Sequence, residues 1–367
     1  MRPLKKLQNQ VIVITGASSG IGRATARMAA DAGARLVLAA RSAPALRELA
    51  NQINAQGGEA VAVAADVGNQ EDVKRIAKVA NERFGGFDTW VNNAGVSIYG
   101  KVSDVPLDDQ RKLFDTNYWG VVYGSLVAAK ELAHRGGAII NVGSTVSDRA
   151  LPLQGAYSAS KHAVKGFTDA LRMELEHDDT PVSVTLIKPG AIDTPYLEHA
   201  KNYLEVKPKF PPPVYAPEVV AEAILHAAEN PIRDLFVGGG GKALSFAEKY
   251  APRITDKLME FWGFDSQKSD EPARARDADG LHRPSGGGPA HGNHDGHVAK
   301  TSLYTKGSMH PLVAGGLVLA GVGVAYALAK GRNTEPRKQK ANFEGTPLDE
   351  YSVPRSRAVM PGSIPPF

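Results

Sequence analysis

Short apolar runs alternate with amphipathic stretches through the first two thirds of the chain. Residues 10–15, 35–39, 59–64 and 87–91 are brief runs bounded by turn residues, and each reads as a buried strand. Between them, 21–32, 43–56 and 70–84 read as helices. Further on, 137–142 and a run ending at Ile187-Lys188-Pro189 are strands five and six. Residues 154–176 form one helix, 217–229 a helix with proline at its start, 234–237 a last strand and 242–262 a closing helix. Strands and helices that alternate every ~25 residues with short links predict right-handed crossovers. The expected fold class is α/β, a doubly wound parallel sheet of about seven strands with helices on both faces.

The candidate chemistry sits on the fifth strand and the helix after it. Tyr157 and Lys161 stand at i and i+4 of that helix, so they share a face with Cβ atoms ~6 Å apart. An ammonium near a phenol favours the phenolate and lowers a pKa that starts near ~10. That makes Tyr157 a usable general acid or base. Ser144 follows the strand 137–142, where its hydroxyl can hold a carbonyl oxygen at the sheet's carboxyl edge. Tyr-x3-Lys alone arises by chance in many helices, so the weight comes from upstream. Gly16-Ala-Ser-Ser-Gly20-Ile-Gly22 joins the first strand to the first helix. Such a turn points backbone N–H groups at a phosphate, or is merely tight. The second strand ends Ala39-Ala40-Arg41, with no acid to bond a ribose 2′-hydroxyl. A guanidinium binds a 2′-phosphate, so Arg41 favours NADP (NADPH) over NAD; otherwise it is a solvated loop arginine.

These residues extend into a longer pattern: TGASSGIG at 15–22, Asp66 after the third strand, NNAG at 92–95, Asn117, Ser144, YSASK at 157–161 and PGAIDT at 189–194. Over about residues 8–262 the chain resembles the short-chain dehydrogenase/reductase family. The resemblance implies a Rossmann-type fold and an oxidoreductase acting on CH–OH or C=O with NAD(P). It implies Tyr157 as catalytic acid/base, with Lys161 lowering its pKa and bonding the nicotinamide ribose. Ser144 would orient the substrate carbonyl, and Asn117 would hold a water linking Lys161 to solvent. Gly16, Ser18, Ser19, Gly20, Ile21 and Gly22 would line the pyrophosphate, and Asp66 and Val67 would contact adenine. Asn93, Ala94 and Gly95 would support the cofactor's middle, and Ile192 and Thr194 would meet the nicotinamide amide. The catalytic set shows no departure from the family pattern. Residues 194–215, bearing Tyr196, Tyr203 and Phe210, look like a lid over an apolar carbonyl/alcohol substrate. A homo-oligomer is expected. His162 reads as structural, and Trp90 and Trp119 as core.

Composition changes the picture mainly after residue 263. The chain has 367 residues, 43% hydrophobic, ample for a core, and no cysteine, hence no disulfide framework. The net charge of +4 has much of its excess after residue 330, so no nucleic-acid partner is expected. No apolar leader precedes the first strand, which points to a cytoplasmic catalytic domain over 1–263. Residues 264–309 are polar and rich in Gly, Asp, Pro and His, and read as a flexible linker. Within it His291, His294 and His297 recur every three residues and read as solvated rather than metal-bound. Residues 310–330 hold a candidate transmembrane or membrane-associated helix. Its uncharged stretch 311–329 would reach about 28 Å, close to a ~30 Å hydrocarbon core. Residues 331–367 read as a basic, disordered tail. The positive-inside rule would keep that tail in the cytoplasm and strand the catalytic domain outside, so a tail anchor, an interfacial segment and a helix buried in an oligomer all stay open. The alternative to an enzyme is a membrane-linked NADPH-binding sensor or scaffold.

Overall fold

A computed structural model describes residues 3–273, 279–312 and 314–315. The central sheet has seven strands: β1 Val11–Thr15, β2 Arg35–Ala40, β3 Glu59–Ala64, β4 Thr89–Asn92, β5 Gly137–Val142, β6 Val182–Pro189 and β7 Asp234–Val237. They run in the order β7-β6-β5-β4-β1-β2-β3, and every pair is parallel. The chain winds outward from β1 in one direction and from β4 in the other. Their crossovers therefore leave on opposite faces, and a crevice opens beyond the carboxyl ends of this central pair.

Alternation along the strands sorts the core into two layers. Ile12, Ile14, Leu36 and Leu38 pack beneath the helices Gly20–Asp31, Ala43–Ala55 and Pro217–Glu229. Val11, Val13, Val37 and Ala39 face the helices Gln70–Phe84, Gly120–Leu132 and Gly155–His177. Both faces are covered, which is why the strands read as continuous apolar runs rather than alternating ones. One buried polar network crosses the middle of the sheet. Asn92 donates to Asn141 at 2.8 Å, Asn141 to Thr168 at 2.9 Å, and the Trp90 indole to Asn92 at 2.7 Å. Trp90 is fully buried, as expected of core.

Four expectations are corrected. The helix expected over 242–262 is broken into Gly239–Tyr250 and Pro252–Leu258. Pro252 has no N–H to continue the ladder and drives Ala251 to an extended φ of −143°. Trp119 is not core: it is 43% exposed and stacks on Tyr123. The segment 194–215 is no plain loop, since it carries the helix Tyr196–His199 and the short strands Lys201–Asn202, Val206–Pro208 and Val214–Tyr215. The last is the largest change. The expected linker 264–309 contributes strands Lys268–Pro272 and Val298–Ala299 and the helix Leu303–Met309. These pair with Val206–Pro208 and Val214–Tyr215, and Met309 enters the core. The compact unit thus runs to Ala314 instead of ending near 263. Among the described residues no helix is long and apolar enough to cross a membrane. The candidate membrane segment beyond Gly315, and the tail 331–367, lie outside the described residues.

Candidate active site

The glycine turn leaves β1 in a conformation that side chains resist. Gly16 and Gly20 have φ of 68° and 54°, both left-handed. A Cβ on Gly22 would stand 2.2 Å from the Gly16 carbonyl oxygen, so the helix Gly20–Asp31 begins pressed against the turn. The N–H groups of its first turn have no partner within the helix, and with them comes the positive end of the helix dipole. Asn93 ties β4 to the same turn, its side chain donating to the Thr15 carbonyl at 2.9 Å. Together these form a cradle that a dinucleotide phosphate fits.

A cleft of about 280 Å³ follows the carboxyl edge of the sheet from Arg41 to Tyr196. The structure brings to it Gly16, Ser18, Ser19, Gly20, Ile21, Arg41, Asp66, Val67, Asn93, Ala94, Gly95, Ser144, Tyr157, Lys161, Ile192 and Thr194. Gly22 and Asn117 are not on its wall. Gly22 acts beneath it, through the close approach just described. Asn117 is fully buried in a π-helical turn, Asp115–Trp119. Its amide accepts from the Val96 N–H at 2.8 Å and donates to the Val96 carbonyl and to Ser160. The side chain is therefore spent, and a water bound here would meet its backbone.

Ser144 caps a short turn, Thr145–Ser147, at the end of β5. Its hydroxyl accepts from the Val146 N–H at 3.3 Å, and its own N–H donates to Ser147 at 3.1 Å. Those bonds fix the serine toward Tyr157, which lies in the first turn of the helix Gly155–His177. Burial holds the pKa of the Tyr157 phenol above its ordinary value, and the hydroxyls of Tyr196 and Ser144 offset only part of that rise. Burial also lowers the Lys161 ammonium from 10.5 to about 8. Its Nζ donates to the Val142 carbonyl at 2.8 Å and stands 5.8 Å from the Tyr157 ring centre. In this arrangement both hydroxyls favour the Tyr157 phenolate. His162 bonds the Ser158 carbonyl at 2.8 Å, on its own helix.

The outer wall at the Arg41 end comes from residues that the sequence pattern assigns to a linker. The segment 279–292, a strap, crosses from the Leu281 side of the cleft to the end of β6. Arg41 donates to the Leu281 carbonyl at 3.1 Å and also to the Gly280 carbonyl. The Gly20 N–H, one of the cradle's donors, bonds the Pro289 carbonyl at 3.0 Å, and Gly288 donates back to Ser18. Leu281 is fully buried against Val96, Ile98, Val105 and Leu113, the same cluster on which Tyr157 packs. Lys201 pairs with Asp279 at 2.8 Å, and His282 bonds Asp109 at 2.7 Å. His291 bonds Glu218 at 2.8 Å. Among the described residues no group of three His, Asp or Glu is placed to hold a metal. Sequence reasoning missed this wall because no apolar period marks it; the buried Leu281 in a polar run was the one available signal.

A family model for short chain dehydrogenase matches residues 10–204. The chain belongs to the short-chain dehydrogenase family. This short-chain dehydrogenase is 49% identical over 330 residues to an uncharacterized oxidoreductase, YxnA, of Bacillus subtilis, covering 89% of this chain and 92% of that one. That span exceeds the family match and takes in much of the extension. A short-chain dehydrogenase/reductase of Burkholderia phymatum in complex with NAD superposes with a TM-score of 0.62 at 26% identity, over 68% of this chain and 96% of that one. An alcohol dehydrogenase of the archaeon Thermococcus sibiricus complexed with 5-hydroxy-NADP gives 0.55 at 29% identity, over 62% and 95%. The dehydrogenase is thus an oxidoreductase built on an NAD(P)-binding fold.

Proposed function

We propose that the protein is an NADP-dependent oxidoreductase that interconverts an apolar carbonyl compound and its alcohol. The observation that carries this is the convergence of Ser144, Tyr157 and Lys161 at one end of a cleft whose other end holds the glycine turn and Arg41. The cradle of Gly16, Ser18, Ser19, Gly20 and Ile21 would hold the pyrophosphate. Asp66 and Val67 would meet the adenine, Asn93 to Gly95 the middle, and Ile192 and Thr194 the nicotinamide amide. The preference for NADP rests on Arg41 and on the lack of an acid after β2. When bound, the nicotinamide supplies or accepts the hydride.

The chain's own residues handle the oxygen. Ser144 and Tyr157 donate hydrogen bonds to the substrate oxygen, most strongly where negative charge develops. Tyr157 gives its proton to that oxygen in reduction and takes it back in oxidation. Lys161, at the bottom of the cleft, would bond the nicotinamide ribose and return the proton through water at the backbone of Asn117. Tyr196, Phe210 and Tyr99 give the substrate end an aromatic wall, which suits an apolar substrate. The exposed Trp119, Leu126 and Met173 favour a homo-oligomer. Attachment to a membrane through 311–329 stays a proposal resting on hydropathy alone.

The test is NADPH oxidation by the full chain against a panel of aldehydes and ketones graded in size and polarity. Turnover that grows with apolar bulk is expected. NADPH binding without turnover of any member would favour the sensor or scaffold instead.

A further inference from the structure

A second tyrosine faces the first across the substrate end of the cleft. The rings of Tyr157 and Tyr196 meet edge to face, with centroids 5.8 Å apart at 67°. Tyr196 comes from the helix Tyr196–His199 after β6, an element distinct from the one that carries Tyr157. Phe210 stacks on its other side at 6.2 Å and 22°, which leaves the ring little freedom to turn away. The Tyr196 hydroxyl is buried and meets hydrogen-bond geometry with no neighbour, and the same holds for the Ser97 hydroxyl on the same wall. It lies within reach of the Tyr157 and Ser97 hydroxyls, and a charge on Tyr157 would act against its ionisation. Buried hydroxyls without partners are costly and call for an explanation.

We propose that Tyr196 is a positioning residue for proton transfer: its hydroxyl donates to the Tyr157 oxygen whenever that oxygen carries the negative charge. The inference rests on the acid/base role of Tyr157 proposed above. Two phenols in contact inside a dry cleft cannot both ionise, so the surroundings must choose one. Tyr157 has the hydroxyls of Ser144 and Tyr196 to stabilise its anion, and Lys161 is the cation that faces it. Tyr196 has burial and the repulsion of any charge on Tyr157 or Tyr99 against its ionisation, with only Ser97 in its favour. Tyr99 is itself fully buried and held far above the ordinary phenol range. The pair is therefore polarised. Tyr196 stays protonated as donor while Tyr157 gives and takes the proton, and the hydrogen bond strengthens when reduction has left a phenolate behind.

The test reads phenolate directly and needs no substrate. The NADP-bound full chain is titrated by ultraviolet difference absorption as wild type, Tyr157→Phe and Tyr196→Phe. One tyrosine step should vanish in Tyr157→Phe, which identifies that step as the Tyr157 ionisation. In Tyr196→Phe it should move up by about one pH unit, tenfold in the ionisation constant. The phenylalanine keeps the ring and its stacking, and NADPH binding checks that the cleft is intact. Ser144→Ala should also move the step upward, as an independent measure of the same anion. A step that stays in place in Tyr196→Phe overturns the inference, even if the Tyr157 variant has lost turnover and the oxidoreductase assignment stands. A Tyr157→Phe titration that loses no step overturns it as well, because Tyr196 would then be the group that ionises. A shift in Tyr196→Phe upholds the pairing even if no carbonyl in the panel is reduced.

Discussion

The carboxyl edge of the sheet and the strap that crosses it are two walls of one cleft, made in different ways. On the sheet side each functional residue follows directly from a strand or opens a helix, so its place is set by the regular ladder beneath it. On the strap side there is no ladder. The segment 279–292 is held by backbone bonds to Arg41, Gly20 and Ser18, by the Lys201–Asp279 pair, and by one buried leucine. The first wall is fixed by many repeated interactions, the second by a few specific ones. Removing a single anchor should therefore disturb the strap far more than removing a single apolar residue disturbs the sheet.

The comparison breaks first at Tyr157. Tyr157→Phe should lose about 10²–10⁴-fold in turnover while NADPH binding is nearly unchanged, the scale of an acid/base group. Separate measurement of kcat and cofactor affinity decides it, and turnover within a few-fold of wild type would remove the sheet wall's claim to the chemistry. Next comes the strap's anchor. Leu281→Ala should cost about 2–5 kcal/mol of unfolding free energy, as a buried leucine does. Leu303, 87% exposed, is the control, and Leu303→Ala should stay within about 0.5 kcal/mol. If both variants melt alike, the strap is not part of the fold. For the same reason a chain ending at residue 263 should aggregate or melt early, since it uncovers Val96, Ile98 and Leu113.

Arg41 joins the two walls, and its effect should be smaller. NADPH should bind at least ~10-fold tighter than NADH, about 1.4 kcal/mol, and Arg41→Ala should erase the difference. Fluorescence titration of both cofactors measures it. Equal affinities in the wild type would mean that the strap carbonyls keep the guanidinium from the 2′-phosphate. The last effect, small at each step of pH, belongs to Lys161. Its folded pKa of about 8 lies below the ordinary 10.5, so between those values the unfolded chain binds more protons. Stability without cofactor should then rise with pH from about 8 to 10, by less than ~1.4 kcal/mol per pH unit. Above that window Tyr99 and Tyr196, whose folded pKa values are raised, act in the opposite direction. Lys161→Met should flatten the rise seen in pH-dependent chemical unfolding.

The sequence by itself determined the sheet, its strand count, the glycine cradle and the meeting of Ser144, Tyr157 and Lys161. Those features repeat with the period of a strand or a helix, and a local pattern suffices to carry a local geometry. Tertiary structure alone decided that the Asn117 side chain is spent within the fold, because the π-helical turn and the Val96 backbone claim its amide. It decided that Trp119 faces outward and that Tyr196, 39 residues along the chain from Tyr157, stands against that tyrosine. It also decided that the described parts of 264–309 are no linker. Those parts, 264–273 and 279–309, are ordered by surfaces of other elements, and order borrowed through backbone hydrogen bonds and the buried Leu281 and Met309 leaves no periodic trace in the residues that receive it.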